Sequence, residues 1–205
     1  MGIGFSVAKW RLVTRLLVLP LPVGIIYDQK LVVIASEQDS YFSILCSHIH
    51  YCWVLFHGSS LKTDAVYTPS DCFETFPFPE STATLEDIGE RYYTHRQHIM
   101  QTRQEGLTKT YNRFHDPHEH APDIVRLRDL HVEMDHAVTA AYGWQDLDLG
   151  HGFHDTKQGL RYTISEAARR EVSDRLLALN HARHEAEELA GKVKGSVGKY
   201  PKTHA

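Results

Sequence analysis

Gly58-Ser-Ser-Leu-Lys-Thr-Asp-Ala-Val-Tyr-Thr-Pro-Ser-Asp-Cys-Phe-Glu-Thr-Phe-Pro-Phe-Pro79 decides how the rest of the chain is read. Pro69, Pro77 and Pro79 each remove a backbone donor, and each pushes the residue before it toward extended geometry. A helix is therefore excluded. Leu61, Val66, Tyr67, Phe73, Phe76 and Phe78 carry too much apolar surface for a solvated linker. Such a mixture predicts an extended segment laid across a surface, leaving through a polyproline-like exit at Phe76–Pro79. Before it lie strand and helix patterns, and after it the patterns are helical. The stretch reads as a seam between two domains.

Working outward, 205 residues with 42% hydrophobic content suffice for one large domain or two small ones. A net charge of −4 does not announce a nucleic-acid partner, so local charge must be examined instead. Cys46, Cys52 and Cys72 are odd in number and lack metal-type pair spacing, which predicts free thiols in a reducing cytoplasm. The apolar run Leu16–Ile26 follows Lys9, Arg11 and Arg15, but Pro20, Pro22 and Gly24 interrupt it. It is too short to span a bilayer and has no small-residue cleavage site, so no membrane association is expected.

The runs 12–19 and 30–35 predict strands around a Pro20–Gly24 turn. Two or three strands are marginal alone, so this start reads as the remnant of a β-containing domain with an unpaired edge. Phe42, Leu45, Ile49, Cys52, Trp53 and Phe56 predict one helix over 40–56, with His48 and His50 hydrogen-bonded beside its packed stripe. Thr84 is expected to cap a helix whose buried stripe is Leu85, Ile88, Tyr92 and Ile99, broken near Gly106 and ending past Phe114. Asp123 is expected to cap the next, running to Tyr142. Residues 144–162 read as an irregular loop. Thr163-Ile-Ser-Glu166 reads as a capping box opening a last helix to about Leu189. Residues 191–205, rich in lysine and glycine, are expected to be disordered.

Chemistry is sparse. Fifteen histidines invite a metal hypothesis, yet His115, His118 and His120, or His181 and His184, match no recognised zinc spacing. Neither a metal site nor a catalytic residue is expected. Asp123, Glu133 and Asp135 only faintly echo a nuclease carboxylate set. No glycine-rich phosphate loop, Gly-x-Ser-x-Gly elbow or Cys/His pair with an orienting third group is present.

Five stretches together carry a family resemblance. They are Ser59-Ser-Leu-Lys, Tyr67-Thr-Pro-Ser-Asp-Cys-Phe-Glu-Thr-Phe-Pro-Phe-Pro, Leu127-Arg-x-Leu-His-x-Glu-Met-Asp, Ala140-Ala-Tyr-Gly-Trp and Tyr162-Thr-Ile-Ser-Glu-Ala-Ala-Arg-Arg-Glu. From about residue 12 to 189 the chain resembles the carboxyl-terminal part of the MmeI-like DNA methyltransferases of restriction–modification and phage defence. The resemblance implies an α+β fold: residues 1–80 as the end of a target-recognition domain, then residues 81–190 as a mostly helical domain. It also implies double-stranded DNA as partner, and an upstream methyltransferase domain that uses S-adenosylmethionine to modify adenine N6. The Asn-Pro-Pro-Tyr-type motif and cofactor loop of that domain do not occur here, so no cofactor is expected on this chain and it should be inactive alone. It reads as a fragment. The alternative is a stand-alone helical adaptor that binds another protein.

Lys62 and Asp64 are the expected base-reading pair. Two residues apart in an extended segment share a face, and a donor beside an acceptor matches the major-groove edge of a G·C pair. The resemblance adds that this family reads bases from this part of its recognition domain. Ser59 and Ser60, with Arg91, Arg96 and Arg103 along one helix, are expected at the DNA backbone.

Overall fold

Valine, leucine and isoleucine near the amino terminus build strands, as their β propensity dictates. In the computed structural model, residues 3–8, 18–22, 31–35, 38–57, 59–61 and 64–191 are described. Strands β1 (Ile3–Ala8), β2 (Val18–Pro22) and β3 (Leu31–Ala35) form an antiparallel sheet in the order β2-β1-β3. The central strand, β1, had no counterpart in the sequence reading. Pro20 and Pro22, expected in a turn, lie in β2 opposite Phe5 and Ile3. β2 is an edge strand, and prolines two apart lose their donors on the same side, so the ladder to β1 survives. Residues 12–17 of the expected first strand lie outside the described residues.

The helix expected over 40–56 is two helices, α1 (Asp39–Cys46) and α2 (His48–His57). Ser47 between them is extended, with φ −70° and ψ 157°. Its N–H and Oγ both donate to the Ile44 carbonyl, at 3.1 and 2.6 Å, while its Oγ accepts from the His50 N–H at 3.3 Å. One serine thus ends α1 and caps α2, a competition for backbone groups that stripe periodicity does not register.

The seam folds as a short hairpin, β4 (Ser59–Leu61) with β5 (Asp64–Val66), then a single helical turn, α3 (Pro69–Cys72). A wholly non-helical reading of 58–79 is therefore corrected. Pro69 stands in the first turn, where the missing donor costs nothing.

A 3-10 turn at Ala83–Leu85 leads into α4 (Glu86–Arg103), so Thr84 is inside the turn and makes no side-chain cap bond. α4 stops at Gln104, whose left-handed backbone (φ 52°) precedes α5 (Leu107–Phe114). α6 (Pro122–Ala141) opens on proline after Ala121, which leaves Asp123 inside the helix rather than capping it. The expected loop at 144–162 contains a hairpin, β6 (Gly152–Thr156) and β7 (Gly159–Thr163), with Thr156 opposite Gly159. Gly159 has φ +89°, which the tight connection requires. Ser165, not Thr163, caps α7 (Glu166–Leu189), accepting from the Ala168 N–H at 3.1 Å. The tail from residue 192 lies outside the described residues.

Packing joins residues on both sides of position 80. One core joins Val18, Phe42 and Leu45 to Tyr92, Ile99, Leu127 and Met134. A second joins Ile44, Ile49, Trp53 and Phe76 to Val138, Ile164, Val172 and Leu176. Each core takes side chains from both sides of the seam. Among the described residues no helix is long and apolar enough to cross a membrane.

Candidate functional site

The seam is fastened by helices that follow it. Pro77 and Pro79 donate nothing, but the carbonyls of this stretch find donors at the end of α6 and on α7. Tyr142 OH reaches the Pro77 oxygen at 3.0 Å, Arg183 Nη1 the Phe78 oxygen at 2.6 Å, and Asn180 Nδ2 the Thr75 oxygen at 2.7 Å. Phe76 and Phe78 meet edge-on at 4.9 Å between centroids. The hairpin of the expected DNA residues precedes this anchored segment in the chain. Ser59 and Ser60 lie in β4 opposite Val66 and Ala65, and Asp64 opens β5 opposite Leu61. Lys62 lies outside the described residues, as do the side chains of Ser59, Ser60 and Asp64.

The expected phosphate-facing arginines divide. Arg96 is 1% exposed, so it is corrected: it belongs to the core. Its guanidinium donates to Tyr111 OH at 3.2 Å and the Val18 carbonyl at 3.0 Å, and lies 5.1 Å from the Phe42 ring centroid. Ile88, Tyr92, Arg96 and Ile99 are spaced four, four and three, a buried stripe that the sequence could have shown. Arg91 forks onto Glu133 at 2.5 and 2.8 Å and also reaches Asp87 at 3.0 Å. Arg103 forks onto Asp123 with two contacts of 2.7 Å. Both are engaged within the fold. A groove of about 720 Å³ between α2, the β6–β7 hairpin and α7 mixes Asp155, Glu166 and Asp174 with Arg161, Arg169 and Arg170. That lining differs from the one-sign surface that follows a phosphate backbone.

The most concentrated chemistry is internal. The break at Ser47 turns His48 toward α6, where its N–H donates to Asp135 Oδ1 at 2.8 Å and its Nδ1 lies 2.6 Å from Oδ2. These partners are 87 residues apart in sequence. His151, in the loop after α6, places Nε2 2.8 Å from the same Oδ2. His131, one turn before Asp135, has Nε2 3.9 Å from Oδ1, while its Nδ1 meets Tyr92 OH at 3.1 Å. Tyr92 OH in turn meets Tyr111 OH at 2.8 Å, continuing the chain to Arg96. Asp135 is fully buried. Burial alone would raise its carboxyl, but the His48 and His131 imidazoles and the bonds from His151 and His48 hold it well below the usual carboxylate range. Sequence spacing could not reveal this cluster, because only His131 and Asp135 share a helix turn.

His50 behaves differently. Its ring sits edge-on to Phe76 at 4.6 Å, its Nε2 is 3.4 Å from Tyr67 OH, and burial pushes its imidazole down to about 3. The folded chain therefore keeps it neutral, whereas the unfolded chain protonates it near pH 6.5. Its contribution is complete above pH 6.5 and is lost as the pH falls toward 3. Between pH 6.5 and 5 the loss should be about 1.5 kcal/mol. Urea titrations across that range should show His50→Phe losing less stability than the native chain by about this amount. Parallel profiles would mean that His50 does not titrate as the burial dictates.

Residues 18–80, under a third of the chain, match the family model of the MmeI target recognition domain. A solved structure of the Type IIL restriction–modification enzyme MmeI in complex with DNA has a similar fold, with a TM-score of 0.57 at 17% identity. The likeness covers 89% of this chain and 21% of that one, so this chain spans about a fifth of that enzyme's length. No curated protein matches the sequence. The chain is thus similar to the MmeI target recognition domain in sequence over residues 18–80, and to MmeI in fold over most of its length.

Proposed function

We propose that this chain is the sequence-reading portion of an S-adenosylmethionine-dependent adenine-N6 DNA methyltransferase of restriction–modification or phage defence. The match of residues 18–80 to a target recognition domain carries the reading. In this reading double-stranded DNA is the partner, and catalysis belongs to a methyltransferase domain whose cofactor loop and Asn-Pro-Pro-Tyr motif these residues lack. The protein works in the cytoplasm. This chain positions the hairpin, and the methyl transfer takes place elsewhere.

Lys62 and Asp64 are the base readers. Asp64 opens β5 opposite Leu61, and Lys62 is the next residue after Leu61 in the sequence. The ammonium of Lys62 donates to guanine O6 or N7, and the Asp64 carboxylate accepts from cytosine N4. A plain surface ion pair would be worth at most about 1 kcal/mol, whereas a good base pairing discriminates by roughly 1–3 kcal/mol. The test joins this chain to the methyltransferase region of an MmeI-like enzyme and maps methylated sites by sequencing. Lys62→Glu with Asp64→Arg should switch one position of the site toward C·G and leave the rest unchanged. An unchanged site with altered stability alone would remove the two residues from recognition. No site-specific methylation by the native fusion would overturn the recognition role itself.

A further inference from the structure

The structure assigns a divalent transition-metal site, of the zinc class, to His48 Nδ1, His131 Nε2, His151 Nε2 and the Asp135 carboxylate. Four side chains from α2, α6 and the loop after it converge where no spacing motif predicts them. One ligand atom each from His48, His131 and Asp135 lie within 4.8 Å of one another, and all three residues are buried. His151 Nε2 is 2.8 Å from the same carboxylate oxygen as His48 Nδ1, and a shift of its ring toward the other three would make it the fourth ligand. Three imidazoles and one carboxylate suit zinc, which takes tetrahedral nitrogen and oxygen ligands at about 2.0–2.2 Å.

At those bond lengths the ligand atoms of a tetrahedron stand roughly 3.4 Å apart. The carboxylate contacts here are 2.6 and 2.8 Å to Oδ2 and 3.9 Å to Oδ1, so seating an ion requires the His48 and His151 rings to draw back from the carboxylate and His131 to approach it. The surroundings fit as well. His131 is oriented through Nδ1 by Tyr92 OH, which leaves Nε2 aimed at Asp135, the outer-shell arrangement that fixes a ligating histidine. The His48 N–H on Oδ1 fixes the carboxylate in the same way. Such an ion would tie α2, which precedes the seam, to α6, which follows it, and so hold the recognition segment on the helices.

The untagged full chain, purified without chelator, should contain about one equivalent of zinc by elemental analysis. Dipicolinate treatment should lower its melting temperature, and added Zn²⁺ should restore it. His151→Gln, the mildest change, should weaken Zn²⁺ affinity by more than the 10–100-fold that losing an outer-shell partner costs. Asp135→Asn should abolish stoichiometric binding, and His151→Gln still decides if that variant does not fold. His118→Gln with His120→Gln, at the exposed histidine loop, should bind like the native chain. Absence of zinc, with no thermal response to Zn²⁺, would leave a hydrogen-bonded histidine–carboxylate cluster and overturn the assignment. Equal Zn²⁺ binding by the native chain and His151→Gln would overturn it too, since the metal would then sit on other histidines.

Discussion

Arg128→Met should cost the fold about 3–4 kcal/mol, read as a lower urea midpoint with an unchanged slope. Arg128 is 6% exposed and donates to four backbone carbonyls. Its Nε reaches Phe114 at 2.9 Å, Nη1 reaches Glu119 at 2.8 Å, and Nη2 reaches Arg113 and Asp116 at 3.0 and 2.8 Å. One side chain thereby satisfies the orphan carbonyls at the end of α5 and fixes the loop that leads to α6. Its guanidinium also lies 5.1 Å from the Phe153 ring centroid and 5.6 Å from that of Tyr162, tying in the β6–β7 hairpin. Methionine keeps most of the apolar stem, so packing changes little and the polar loss dominates. Bonds from a charged donor are worth about 1.5–3 kcal/mol each, but partly buried carbonyls recover water once the donor leaves, so the total falls well short of the sum. Arg128→Lys should recover less than half, since one ammonium cannot span four acceptors. A cost below about 1 kcal/mol for the methionine variant would show that water serves this loop equally well.

Gly89→Ala should destabilise by about 2–3 kcal/mol, and it should do so to the segments before and after the seam together. A Cβ at Gly89 would stand 2.4 Å from the Asp39 carbonyl oxygen and 2.5 Å from Ser43 Oγ. The serine hydroxyl is already committed, donating to the Leu85 carbonyl at 2.8 Å and the Asp39 carbonyl at 3.1 Å. The obstacle is therefore mostly the backbone of α1, which cannot rotate away. Alanine would gain up to about 1 kcal/mol in helix propensity. Against it, α1 and α4 must separate, loosening Phe42, Ile88 and Tyr92, and overpacking of this kind costs about 1–3 kcal/mol or more when rigid atoms clash. The clash wins. Because both cores span residue 80, thermal unfolding by circular dichroism and by tryptophan fluorescence should shift as one transition. A stabilised variant, or two separated transitions, would refute this account of α1 docking on α4.

Much of the helical half could be read directly. The stripes of α4, α6 and α7, the stop near Gly106 and the end at Leu189 follow from 3.6-residue periodicity and from proline and glycine positions, which act within a few residues. Even Arg96 was legible, since it continues the Ile88–Tyr92 spacing; its charge hid a core position. Among the described residues, the exclusion of helix from 58–79 fails only at the single turn Pro69–Cys72, and the resemblance of the stretch to MmeI recognition domains came from residue order alone.

What remained hidden depends on partners distant in sequence. β6 and β7 carry His154, Asp155 and Arg161 rather than β-branched runs, so their pairing with each other and the Arg128 guanidinium beside them decide the strand state. Pro20 and Pro22 look like a turn until β1 occupies one side of their strand. Ser47 interrupts a continuous apolar stripe because Asp135 waits 87 residues later to receive the His48 N–H. The sequence by itself determined where helices can run and which segment crosses between them. Tertiary structure alone decided that three histidines meet one carboxylate, because a buried charge selects its partners through space rather than along the chain.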